Sequence, residues 1–152
     1  VRIVDGVRER GVDLHLHLVG STAEAYRSYV REVTDVAAAR EYVTLHTAVS
    51  RARLEELLGS HRYGLNPKHG EHFGMALAEY VAAGMVAFAH DSGGQREVVD
   101  GDPDRLFDSV PEAVDRVAAA VESRATPRLS PDRFGVGRFH RRVRELVAER
   151  LA

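Results

Sequence analysis

Three observations predict an α/β domain built on a parallel sheet. Short runs rich in apolar and β-branched residues alternate with longer segments of helical periodicity. Their spacing leaves room for a helix between successive strands, the requirement for parallel neighbours in a sheet covered on both faces. The chain of 152 residues has the length of one ordinary domain with a sizeable core.

Taken in order, Val1 to Arg10 has apolar residues at 1, 3, 4 and 7, the tail of a helix ending near Gly11. Asp13 to Val19 alternates and reads as a strand closed by Gly20-Ser21. Thr22 to Arg40 reads as a helix with a break near Thr34, and Tyr42 to Leu45 as a short strand. Ser50 is suited to cap a helix running to Leu58, with Gly59 after it. Arg62 to Leu65 is the next strand, stopped by Asn66-Pro67. A helix from about Met75 to Ala83 ends at Gly84, a residue type that accepts the left-handed C′ position. Val86 to Ala89 is a strand and Leu106-Phe107 a brief one. Pro111 to Ser123 is a helix with Pro in its first turn, Thr126 to Pro131 a linker, and Phe134 to Leu151 an Arg-rich amphipathic helix. The expectation is a single Rossmann-like domain whose strands at 13–19, 42–45, 62–65 and 86–89 lie parallel in one sheet.

Composition narrows the functional classes. A net charge of −2 carries no nucleic-acid footprint. No cysteine is present, so there is neither a disulfide framework nor thiolate chemistry, which is compatible with a reducing, cytoplasmic setting. The apolar stretches fall short of the roughly 20 residues a membrane helix needs. Of the 21 basic residues only Lys68 is lysine. Coding bias toward Arg accounts for that preference, but the lone lysine stands three residues before Glu71.

Glu71 opens the most informative stretch. It and Glu79 bracket seven residues that include Phe73-Gly74, a step that turns the chain into the following helix. Glu71 therefore lies just ahead of a helix N-terminus, where free backbone N–H groups favour an anion such as phosphate. Glu79 rejoins the same pocket from one turn inside the helix. A phosphate-favouring helix end between two carboxylates suits a ligand combining phosphate with hydroxyls, as a nucleotide sugar does. The plain alternative is a pair of solvated acids near a helix start.

The run from Gly70 to Val99, GEHFGMALAEYVAAGMVAFAHDSGGQREVV, closely resembles the Glu-seven-Glu region of retaining glycosyltransferases of family four (glycosyl transferases group 1), which have the GT-B fold. It is most like the lipid-linked-oligosaccharide mannosyltransferases among them. A looser likeness runs from about Asp13 to the last helix. The resemblance implies that the chain is the C-terminal, donor-binding half of a GT-B enzyme that transfers a hexose with retention. The acceptor-binding N-terminal domain and the first strand of this half would then lie outside the chain, which begins inside the following helix. The fragment alone is expected to be inactive.

The same resemblance gives Glu71 the transferred sugar's hydroxyls, as the catalytic carboxylate, and Glu79 the ribose hydroxyls. Phe73, Gly74 and Met75 would offer backbone N–H groups to the sugar and diphosphate. Lys68 stands where the family often has a small polar residue, and reads either as a phosphate contact or as a solvated side chain. Gly93 and Gly94 either line the donor pocket or serve a turn, with Glu97 capping the next helix. His46 and Val49, in the loop after the 42–45 strand, either cradle the nucleobase or form a surface turn. His15 and His17 share a strand face, and His69 and His72 flank Glu71; all four read as packed or edge histidines, so no metal is assigned.

No cofactor is expected beyond the nucleoside-diphosphate sugar substrate. The partners are this donor and a glycan or lipid-linked acceptor held by the other domain, with no nucleic acid. Arg138, Arg141, Arg142 and Arg144 either form a solvated helix side or a peripheral contact with an anionic membrane. The competing readings are a sugar-nucleotide-binding domain of another GT-B-like enzyme and a non-catalytic binding module.

Overall fold

The computed structural model describes residues 1–130 and 134–151. Their strands pair in parallel throughout, as the alternation of strands and helices requires, and form two hydrogen-bonded ladders instead of one. The chain accordingly divides into two compact units, residues 1–60 with 108–124 and residues 61–107 with 125–152.

In the first unit, α1 (Arg2–Glu9) buries Ile3, Val4 and Val7 and packs on α6 (Val110–Glu122), which buries Ala113, Val114 and Val117. Gly6 makes that approach close: a Cβ there would lie 2.7 Å from Val114 Cγ2. The ladder pairs β1 (Leu16–Gly20) with β2 (Val43–Thr47), Leu16 opposite Val43 through Gly20 opposite Thr47. Between these strands a 3₁₀ turn at Glu24–Tyr26 leads into α2 (Arg27–Ala38). The expected break at Thr34 is absent: the helix is continuous, with the Thr34 hydroxyl donating to the Val30 carbonyl at 2.8 Å. Asp5 joins the start of the chain to the β2 approach, accepting from Arg40 Nε and Nη2 at 2.9 and 3.0 Å and from the Tyr42 hydroxyl at 2.5 Å. Helix α3 (Arg51–Ser60) follows the Ser50 cap, whose Oγ accepts from Arg53 N–H at 3.2 Å. It runs through Gly59, which was expected to end it.

The second unit holds the ladder β3 (Tyr63–Asn66), β4 (Val86–His90) and β5 (Leu106–Phe107), with β4 central. Tyr63 lies opposite Val86, and Ala89 opposite Leu106. Residues 86–89 of β4 are buried, the all-apolar signature of a central parallel strand. Helix α4 (Met75–Ala82) lies on β3 and β4. It brings Leu77 and Val81 into a core with Ala87, Ala89, Val98, Val99 and Leu106. Gly64 of β3 admits the Tyr80 ring, which a Cβ would approach to 2.5 Å. At the other end of α4, Gly84 takes φ 74°. Its N–H bonds the Val81 carbonyl and Met85 N–H the Tyr80 carbonyl, each at 3.0 Å, which is the paired closure of a Schellman end. The short α5 (Gln95–Val98) follows β4 directly. The final α7 (Val136–Leu151) has no buried residue. Pro131, the last residue of the expected linker, lies outside the described residues.

Candidate functional site

The residues of the Glu-seven-Glu stretch gather at the carboxyl ends of β3 and β4, the edge at which open parallel sheets bind ligands. β3 ends at Asn66, and residues 67–74 carry the chain to α4. Gly74 makes the entry with φ 91°, a left-handed conformation that glycine adopts without the penalty other residues incur. No side chain caps the helix there. Its internal bonding starts with Ala78 N–H on the Gly74 carbonyl, 2.9 Å, so the N–H groups of Met75, Ala76 and Leu77 precede the helix's own ladder. These are the groups that make a helix N-terminus attractive to an anion. Phe73 and Met75 flank the turn, both exposed.

Glu71 is held by partners from its own loop. Lys68 Nζ stands 2.8 Å from its Oε2, with the Glu71 side chain 21% exposed against 63% for Lys68. The Lys68 ammonium holds the carboxyl below the usual carboxylate range, and backbone N–H groups of Phe73 and His72 add to the effect against a smaller desolvation cost. Lys68 is therefore the counter-ion of the Glu71 carboxylate. Glu79 lies half-buried on α4.

The loop after β4 supports this segment from beneath. Gly93, at φ 64°, and Gly94 leave no room for side chains: a Cβ on either would fall 2.1 Å from the carbonyl oxygen of Glu71 or of His72 respectively. Gly94 N–H donates to that Glu71 carbonyl at 3.0 Å. The two glycines thus pack under the backbone of the Glu71 loop. Ser92 Oγ accepts from Gly70 N–H at 2.8 Å and lies 3.0 Å from His90 Nδ1. Glu97 stands in the first turn of α5, its N–H on the Gly94 carbonyl at 3.0 Å. Ser92 and Gln95 belong to this support; Ser92 lies within the 91–94 loop that the sequence marks, whereas Gln95 lies one residue beyond it. The Ser-Gly-Gly-Gln run directly after a buried strand was the available signal.

His46 and Val49 belong to the first unit. His46 lies within β2, one residue beyond the expected strand end, and only Val49 is in the loop. His46 Nε2 is 2.8 Å from His17 Nδ1, and their rings stack at 5.0 Å. His15 pairs with Thr44 Oγ1 at 2.8 Å. In the second unit the His69 ring meets His90 edge-on at 4.8 Å. Among the described residues no cluster of three or more His, Cys, Asp or Glu is arranged to hold a metal.

The parallel α/β scaffold thus presents a helix N-terminus and a lysine-paired carboxylate at one sheet edge. Residues 1–124 match the family model described as glycosyl transferases group 1, and the chain belongs to that family. Its relatives include proteins described as GDP-Man:Man(3)GlcNAc(2)-PP-Dol alpha-1,2-mannosyltransferase. That of Neurospora crassa is 34% identical over 103 residues, covering 62% of this chain and 18% of the relative. The Dictyostelium discoideum protein is 27% identical over 145 residues, 87% of this chain and 29% of the relative. The Candida glabrata protein is 35% identical over 85 residues, 52% and 17% respectively. The chain thus spans less than a third of the length of these curated relatives. Among the described residues no helix is long and apolar enough to cross a membrane.

Proposed function

We propose that this chain binds the nucleoside-diphosphate sugar donor of a retaining hexosyltransferase, with a mannose donor favoured by the relatives. The observation that carries this reading is the held carboxylate of Glu71 just before the uncapped N-terminus of α4. The diphosphate sits at the N–H groups of Met75, Ala76 and Leu77, where the helix dipole and fixed donors stabilise charge on the leaving group. Glu71 receives the sugar hydroxyls and so must exchange its contact with Lys68 for the donor. The released Lys68 ammonium is then positioned at the mouth of the diphosphate site. Glu79 receives the ribose hydroxyls. The acceptor is a lipid-linked glycan held by a further part of the protein, and the basic face of α7 supplies peripheral contact with the membrane carrying that lipid.

Calorimetry with GDP tests the donor assignment on this chain alone. Weak binding is expected, and Glu79→Ala should weaken it by about 1.5–3 kcal/mol, the cost of removing a charged hydrogen-bond partner. Equal affinity for the two proteins would exclude the ribose role.

A further inference from the structure

We infer that Gln95 is a positioning residue for the Glu71 carboxylate, acting through the Lys68 carbonyl. Gln95 is wholly buried although it opens a helix on a loop edge, a place where a polar side chain is normally solvated. Its Nε2 donates twice, to the Lys68 carbonyl at 2.7 Å and to the His90 carbonyl at 2.9 Å. One carboxamide thereby joins the end of β4 to the residue whose ammonium holds Glu71 at 2.8 Å. The remaining clamps act on the same loop further along: Gly70 N–H on Ser92 Oγ, and Gly94 N–H on the Glu71 carbonyl. At the Lys68 end Gln95 holds the carbonyl, while the Lys68 N–H reaches Asn66 Oδ1 at 3.4 Å, a local bond to the end of β3 that does not tie the loop to β4.

Burial also constrains which side chain can do this. Gln95 Oε1 is buried with no hydrogen-bond partner. Leaving an amide oxygen unsatisfied opposes folding, so the site retains the carboxamide for its two donors. An apolar residue of the same length would remove that cost and both clamps together. Gly74 closes the other side, where an added Cβ would meet Gln95 Cβ at 3.3 Å. The Gln95 side chain is therefore held between the site's turn and its loop.

The inference rests on the proposed role of Glu71 for its functional meaning, but its test uses no nucleotide, so the two fail separately. Side-chain carboxamide protons of Gln95, followed by NMR in the unaltered chain, should exchange with water at least about tenfold more slowly than those of free glutamine. Gln95→Met, matched in length but without a donor, should raise amide exchange at Gly70 to Phe73 about tenfold while leaving α6 unchanged. In the same variant the Glu71 carboxyl should titrate closer to its ordinary value as its contact with Lys68 loosens, a change that loss of core packing alone does not produce. Gln95→Glu, which replaces the donor with an acceptor facing two carbonyls, should loosen the loop at least as much. Free-glutamine exchange rates in the unaltered chain would overturn the inference. So would unchanged loop exchange in Gln95→Met, or an unmoved Glu71 titration.

Discussion

Glu71 gathers a lysine ammonium and two backbone N–H groups onto one carboxylate, an arrangement that favours its ionised form. The sign of the linkage follows: a carboxyl whose pKa is lowered on folding stabilises the fold above its unfolded value, near 4.5, and loses that contribution as pH falls through the lowered one. Amide exchange in the Glu71 loop should therefore quicken only below the ordinary carboxylate range, and Lys68→Met should move that onset upward in pH. In the full-length enzyme, Glu71→Ala should depress kcat and kcat/KM together, on the order of 10²-fold, whereas Glu79→Ala should chiefly raise the donor KM. Near-normal turnover by Glu71→Ala would return it to a solvated loop acid. The placement of Glu71 ahead of α4 and of Glu79 within it was legible because the Phe73-Gly74 step and Gly84 mark the helix bounds. The partnership of Gln95 with Lys68 was not, because a buried Gln is indistinguishable in sequence from a solvated one at a helix start.

At the scale of elements, helix ends were legible where one residue type suits one backbone conformation. Gly84 ends α4 as expected, and Ser50 caps α3. Where ends depend on side-chain bonds made across a turn, the sequence was less informative. The cap of α6 is Ser109, its Oγ accepting from Glu112 N–H at 3.3 Å while Glu112 Oε2 accepts from Asp108 N–H at 2.8 Å. Pro111 had drawn the boundary inward. Ser109→Ala should cost about 1 kcal/mol in chemical denaturation. Gly93→Ala and Gly94→Ala should be far more damaging, since each places a methyl group against a backbone carbonyl that cannot turn away. Donor affinity should fall in both variants even where the fold survives, because the displaced carbonyls are those of Glu71 and His72. A wild-type affinity in either would mean that the loop gives way without consequence.

Over the whole molecule, the parallel pairing within each ladder was legible and the division into two ladders was not. Parallel direction follows from local alternation of strand and helix, whereas strand neighbours are set by packing between distant segments. Helix α3, between β2 and β3, passes the chain from one unit to the other instead of returning it to an adjacent strand. Each unit has its own anchor. Leu77→Ala, at a site with no exposure in the second unit's core, should cost about 2–5 kcal/mol. In the first unit, burial opposes ionisation of Asp5, but hydrogen bonds from Arg40 and Tyr42 outweigh it and keep the carboxyl below its ordinary value. Its contribution is thus present above the usual Asp range and lost as pH drops through the lowered value. Asp5→Asn should flatten that part of the acid unfolding curve.

The single lysine has a practical meaning for chemistry on this chain. Twenty arginines do not acylate under conditions that modify primary amines, so an amine-directed reagent has one side-chain destination, 2.8 Å from Glu71 and 63% open to solvent. A fluorophore or isotope label delivered this way arrives at the mouth of the proposed donor site without mutagenesis. Its attachment rate, measured with and without GDP and with the terminal amine as internal reference, becomes a footprint of occupancy.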